Sequence, residues 1–193
     1  MEAPRLAAAN LACRRGERVL FAGLSLTLTA GDACHVTGAN GTGKSSLLRI
    51  LAGLLRPFAG AVTREGGVAL LDNGLALDEH MPLGRALAFW ARLDGPAPEG
   101  AFERLGIADL LDVPVRYLST GQRKRAALAR LLAQDTPIWL LDEPLNGLDS
   151  DAAALAARLV EEHRESGGIA LIASHQDIAL TNLSKLHLPD YAA

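Results

Sequence analysis

Apolar residues alternate with polar ones, or run on unbroken, in several short segments of the first seventy residues. Arg5–Ala12 and Arg18–Leu28 carry this strand-like pattern, and Ala30-Gly31-Asp32 supplies a turn after them. Ala33–Thr37 reads as a short strand feeding a glycine-rich loop. Lys44–Leu55 reads as the helix behind that loop, ended by the stretch from Pro57 to Gly60. Short strands are expected at Ala61–Arg64 and Val68–Leu71. From about Leu75 to Tyr117 the spacing turns helical. Leu83–Leu93 is amphipathic and bears Phe89 and Trp90, Asp94-Gly-Pro-Ala-Pro98 breaks it, and Glu99–Leu105 and Ile107–Leu111 fit two short helices. The alternation of helix and strand then returns. Thr120–Ala133 is a helix, Ile138–Leu141 a wholly apolar strand, Ser150–Glu165 a helix, and Ile169–Ala173 a second apolar strand ending at Ser174-His175. This order predicts one α/β domain over residues 1–193 with a small helical subdomain at approximately 75–118.

Composition narrows the picture. The chain has 193 residues and is 49% hydrophobic, enough for one substantial core, and with 4% aromatics that core must be mostly Leu, Ala and Val. Such residues suit buried parallel strands. Nineteen basic against 22 acidic residues give a net charge of −3, so no global basic field points to nucleic acid. Arg123-Lys124-Arg125, just inside a helix start, reads as a solvated helical face. Cys13 and Cys34 are not spaced for a metal or a redox pair, and no haem-attachment motif is present, so both read as free thiols in a reducing compartment. No amino-terminal signal-peptide pattern and no bilayer-length apolar run are found. The expectation is a soluble, cytoplasmic chain that meets a membrane only through a partner. His35, His80, His163 and His187 form no ligand-spaced cluster and receive no role.

Three segments carry phosphate chemistry. The first is Gly38-Ala39-Asn40-Gly41-Thr42-Gly43-Lys44-Ser45-Ser46, between a strand and a helix. Glycines let the backbone curl with several N–H groups facing an anion, in conformations a Cβ would obstruct, and the helix start adds a favourable dipole. Lys44 is then expected on the β- and γ-phosphate oxygens of a nucleotide, with the Ser45 hydroxyl on Mg²⁺. The second segment is Ile138-Trp-Leu-Leu-Asp142-Glu143. Asp142 should emerge at the carboxyl edge of a buried strand, where ligands of such sheets bind, and support the metal. Glu143 points elsewhere and suits a general base on the attacking water. The third is Leu118-Ser119-Thr120-Gly121-Gln122, in which Ser119 or Thr120 can cap a helix and Gly121 permits close approach of a ligand.

Together these segments resemble the ATP-binding cassette (ABC) ATPases over essentially the whole chain. The resemblance implies an ABC-type P-loop NTPase fold of class α/β, with an antiparallel β subdomain and a small helical subdomain. It implies ATP and Mg²⁺ as ligands. It also implies a nucleotide-sandwich homodimer, in which Ser119, Gly121 and Gln122 of one copy serve the nucleotide held by residues 38–46 of the other. Thr120 stands where the family usually has Gly. Leu145-Asn-Gly-Leu-Asp149 looks like the family's D-loop, and His175 matches the switch histidine that contacts the γ-phosphate.

Two expected residues are missing. Where an aromatic usually stacks on adenine, Arg14-Arg15 precede Gly16, and an arginine plane can stack on a base. Where a coupling glutamine usually follows the strand at Val68–Leu71, the chain has Asp72-Asn73. Asn73 takes that place in the alignment, as a metal ligand with one methylene less reach.

Within the ABC ATPases, four stretches look like the ATP-binding subunit family of the bacterial cytochrome c maturation (haem exporter) systems. They are Cys13–Phe21, Leu24–Asp32, Tyr117–Gln122 and Pro137–Pro144. That resemblance implies ATP hydrolysis driving release of a haem-loaded chaperone, by a subunit paired with an integral-membrane permease at the cytoplasmic face of the inner membrane. Another small ABC exporter and a soluble regulatory ABC ATPase are the competing readings. Phe89 and Trp90 are either a docking surface for the permease or the packed core of the subdomain.

Overall fold

A computed structural model describes residues 3–72, 74 and 76–192. In chain order the elements are β1 (Arg5–Arg15), β2 (Arg18–Thr29), β3 (Ala33–Thr37), α1 (Lys44–Leu51), β4 (Ala59–Glu65), β5 (Val68–Leu71), α2 (Leu83–Asp94) and α3 (Ala101–Arg104). They continue with α4 (Thr120–Ala133), β6 (Ile138–Asp142), α5 (Ser150–Glu165), β7 (Ile169–Ala173) and β8 (Leu183–His187), and single 3₁₀ turns lie at Ala108–Leu110, Val115–Tyr117 and Leu188–Tyr191.

Two compact units result. The first comprises residues 3–72, 136–144 and 157–192, and holds two sheets. The antiparallel sheet has the order β2-β1-β4, and the parallel one the order β5-β6-β7-β3-β8. β6 and β7 are buried along their whole length, which is why they read as continuous apolar runs. Phe21, Leu24, Leu47, Leu48 and Leu51 from the β2–α1 region close the core together with Ile138, Leu140, Ile169 and Leu171.

The second unit comprises residues 74–135 and 145–156 and is mainly helical among its described residues. Trp90 is half-buried there: its indole N–H donates to the Ala76 carbonyl, and the Arg130 guanidinium lies 3.5 Å over its ring. Phe89 meets Trp90 edge-on at 5.4 Å but is 55% exposed. The structure thus divides the aromatic pair, with Trp90 packed inside the unit and Phe89 facing outward.

Several boundaries differ from the sequence reading for identifiable reasons. α1 stops at Leu51, not Leu55, because Gly53 adopts φ +80° and a Schellman motif closes the helix. There the Leu54 N–H donates to the Arg49 carbonyl at 2.9 Å and the Gly53 N–H to Ile50 at 3.0 Å. The helix expected over Glu99–Leu105 shrinks to a single turn, and the one at Ile107–Leu111 is a 3₁₀ turn. β8 was not anticipated. Only Leu186 of its five residues is fully buried, so it lacks an apolar run, and it exists by parallel pairing with β3.

Candidate active site

In the parallel sheet β7 lies between β6 and β3, and all three run in the same direction. Their carboxyl ends therefore open on one edge, neighbouring strands being about 4.8 Å apart. Asp142 pairs with Ala173 and Val36 also pairs with Ala173, so the three strand ends are level. From this edge emerge the glycine loop after β3, Asp142-Glu143 at the end of β6, and Ser174-His175 after β7. This is the place where ligands bind in open α/β sheets.

The loop has the backbone an anion cradle needs. Gly38, Gly41 and Gly43 all have positive φ, at 145°, 82° and 110°, and Gly43 is the residue that caps α1. No side chain caps α1, which leaves its first N–H groups to an incoming anion. Lys44 is buried, and its ammonium donates to the carbonyls of Gly38 (2.7 Å) and Ala39 (3.3 Å). Thr42 turns inward, its hydroxyl donating to the Ala39 carbonyl at 2.8 Å. Ala39, Asn40, Gly41 and Ser45 face solvent. Ser46 is buried instead, and its hydroxyl accepts the Arg15 Nε–H at 3.5 Å. Of the two arginines that precede Gly16, only Arg15 reaches α1, while Arg14 lies 4.6 Å over Phe58.

Asp142 and Glu143 are both buried at the strand end. Glu143 has φ 48°, a left-handed conformation that a residue with a Cβ adopts at a cost, and its N–H donates to Ala173 at 2.8 Å. Its carboxylate is 12% exposed and accepts from His175 Nδ1 at 2.9 Å and from the His175 backbone N–H at 3.4 Å. A carboxylate only accepts, so the ring proton in this contact sits on Nδ1. Glu143, next to Asp142, and the histidine beyond β7 thus form one pair. Asn73 lies outside the described residues.

The remaining segments belong to the second unit. Ser119 caps α4 in a full capping box: its hydroxyl accepts the Gln122 N–H at 3.2 Å, and the Gln122 side chain accepts the Ser119 N–H at 2.8 Å. A Cβ on Gly121 would come within 2.7 Å of the Gly147 carbonyl, and one on Gly147 within 2.7 Å of the Thr120 methyl. The Ser-Thr-Gly-Gln turn and the Leu145–Asp149 loop are therefore packed on each other. Asp149 also caps α5 by accepting the Ala152 N–H at 2.8 Å. No pattern in the sequence announced the contact between Thr120 and Gly147.

Comparison with known proteins agrees with this geometry. The ABC transporter family matches residues 21–146. The cytochrome c biogenesis ATP-binding export protein CcmA of Novosphingobium aromaticivorans is 58% identical over 187 residues, which is 96% of each chain. The protein of the same name from Zymomonas mobilis is 51% identical over 98% of this chain and 86% of its own. Among solved structures, an ABC transporter ATP-binding protein from Pyrococcus furiosus superposes with a TM-score of 0.84 at 22% identity, covering 98% of this chain and all of that one. No helix among the described residues is long and apolar enough to cross a membrane. The chain therefore belongs to the ABC transporter ATPases and, within them, to the family of cytochrome c biogenesis ATP-binding export proteins.

Proposed function

We propose that this ATPase is the motor of a haem-exporter type transporter in cytochrome c biogenesis, working as one half of a homodimer with ATP bound between the copies. The observation that carries the catalytic part is Glu143, a nearly buried carboxylate in a left-handed backbone conformation, one residue past Asp142 and 2.9 Å from His175 Nδ1. Backbone strain held by surrounding contacts is a mark of functional positions.

In this reading residues 38–46 cradle the phosphates. Lys44 exchanges the carbonyls of Gly38 and Ala39 for β- and γ-phosphate oxygens. The Ser45 hydroxyl and the Asp142 carboxylate are hard oxygen donors of the kind Mg²⁺ takes, and they would hold it with Asn73 as a further ligand. The metal would supply neutralisation of the charge that develops on the transferred phosphate. Glu143 takes a proton from the attacking water as it adds to the γ-phosphorus, while the bond to the β-phosphate oxygen of ADP breaks. His175 holds the γ-phosphate through its ring. Ser119, Gly121 and Gln122 reach the nucleotide of the second copy. The Ser119 hydroxyl proton is free for this, since its oxygen serves the cap as an acceptor.

The partner is an integral-membrane permease of the haem-exporter type, which places the chain peripherally at the cytoplasmic face of the inner membrane. Hydrolysis then drives release of a haem-loaded chaperone. The high identity to export proteins of cytochrome c biogenesis, over nearly all of both chains, supports this partner.

Glu143→Gln tests the chemistry. We expect ATP binding to persist, turnover to fall by about 10²-fold or more, and an ATP-bound dimer to accumulate in size-exclusion chromatography. Turnover at the wild-type rate would remove Glu143 from the mechanism. Affinity purification from membranes tests the partner. A chain fully active without any multi-span membrane protein would end the transport reading, and recovery of an unrelated permease would end the cytochrome c assignment alone.

A further inference from the structure

We infer that His35, in the strand that leads into the glycine loop, is a positioning residue for the Glu143–His175 pair. The inference rests on the catalytic reading of that pair given above. His35 is 2% exposed, and its ring nitrogen Nε2 lies 3.1 Å from the Ser174 carbonyl oxygen. A carbonyl only accepts, so Nε2 carries a proton and donates it. Nδ1 is buried with no hydrogen-bond partner. Leaving a polar nitrogen unpaired in a core costs stability, and an aliphatic side chain in this strand would carry no such orphan. What the histidine contributes is its one donated bond.

That bond falls where the sheet ladder stops. The pairing of β3 with β7 ends at Val36 and Ala173, one residue before Ser174. Ser174 is 1% exposed, so its carbonyl must find a partner inside the protein. Its N–H reaches the Val36 carbonyl at 3.3 Å, and its hydroxyl accepts the Gln176 N–H at 2.9 Å. His35 supplies the third tie and extends the β3–β7 contact by one residue through a side chain. With all three polar groups of Ser174 held, the peptide that follows has one orientation. That peptide's N–H and the next ring are the two donors that meet the Glu143 carboxylate, at 3.4 and 2.9 Å. The chain of contacts therefore runs from His35 to Ser174, to His175, to Glu143, and its first member touches no reacting atom.

The test compares His35→Leu, which cannot donate, with His35→Gln, whose amide can. Both are measured in the detergent-solubilised transporter complex, with folding checked by thermal unfolding. For His35→Leu we expect kcat to fall about tenfold or more, since small misplacements of catalytic groups are costly, while KM for ATP stays within about twofold of wild type. His35→Gln should recover most of kcat. In a His175→Ala background, adding His35→Leu should lower kcat much less than it does alone, because the ring is gone and only the backbone N–H of residue 175 is left to position. The inference is overturned if KM rises in step with the loss, if glutamine rescues no better than leucine, if the losses multiply in the double variant, or if both variants unfold. A wild-type rate for His175→Ala alone would instead sink the catalytic reading of the pair, and the His35 inference with it. A slow His175→Ala beside a fast His35→Leu would sink the His35 inference only.

Discussion

Cys13 and Cys34 show at the scale of single residues how burial sets chemistry. Both are buried free thiols, and desolvation raises each above the ordinary thiol range. For Cys13 this is partly offset by the Ser46 hydroxyl and the Arg15 charge, and for Cys34 by the Ser184 hydroxyl alone. A raised pKa means less thiolate at any given pH, and the thiolate is the nucleophile. We therefore expect native protein at pH 8 to resist iodoacetamide at both positions. Mass spectrometry of native and guanidinium-unfolded samples checks this, and equal labelling rates in the two would contradict it. The sequence anticipated two unpaired thiols but not their burial, since nothing in the residues around them marks the inner face of a strand.

The helices of the second unit show at the scale of elements which side chains belong to the fold and which are left for other uses. α4 starts with a capping box, so Ser119 has a structural duty besides the nucleotide contact assigned to it. α2 and α4 are joined through Arg130, which lies over the Trp90 ring and 3.5 Å from Asp94. Burial lowers the Arg130 pKa from its ordinary value, against the opposing pull of Asp94. Trp90 is thus an anchor of the helix pair. Trp90→Ala is expected to destabilise the protein by about 2 kcal/mol. Phe89→Ala, at a 55% exposed position, should cost less than about 0.5 kcal/mol and should lower the recovery of the permease with the chain. Urea unfolding and co-purification separate the two effects, and a large stability loss at Phe89 would make it a packing residue. The amphipathic pattern of Leu83–Leu93 located this helix from sequence. It could not tell the two adjacent aromatics apart, because they lie about 100° apart around a helix whose neighbours were unknown.

At the scale of the whole molecule, the candidate site residues divide between the two units. The glycine loop, Asp142, Glu143 and His175 belong to one compact unit, and Ser119, Gly121 and Gln122 to the other. If the latter serve the nucleotide of a second copy, damage to them must spare ATP binding by the monomer. We expect Ser119→Arg to leave nucleotide affinity unchanged, to abolish hydrolysis and, combined with Glu143→Gln, to leave the chain monomeric in ATP. Size-exclusion chromatography with bound-nucleotide analysis reads both. Loss of ATP affinity in the isolated Ser119→Arg chain would place the signature on its own nucleotide and defeat the sandwich.

The sequence alone determined the chemistry and most of the elements. The spacing of Gly38, Gly41 and Gly43 before Lys44-Ser45 and the acidic end of an apolar strand are local patterns; the bounds of β3, β5 and β7 followed from short, largely apolar runs, and those of α4 and α5 from the 3.6-residue period. Tertiary structure decided what depends on partners far along the chain. β8 is a strand only because β3 pairs with it. Gly121 faces the Gly147 carbonyl, 26 residues away, and His35 meets Ser174 across 139 residues. A periodic pattern reports which face of an element is buried and not what lies against it. For that reason the glycine loop and the acidic strand end were legible from the start, and the contacts that hold Glu143 and His175 together were not.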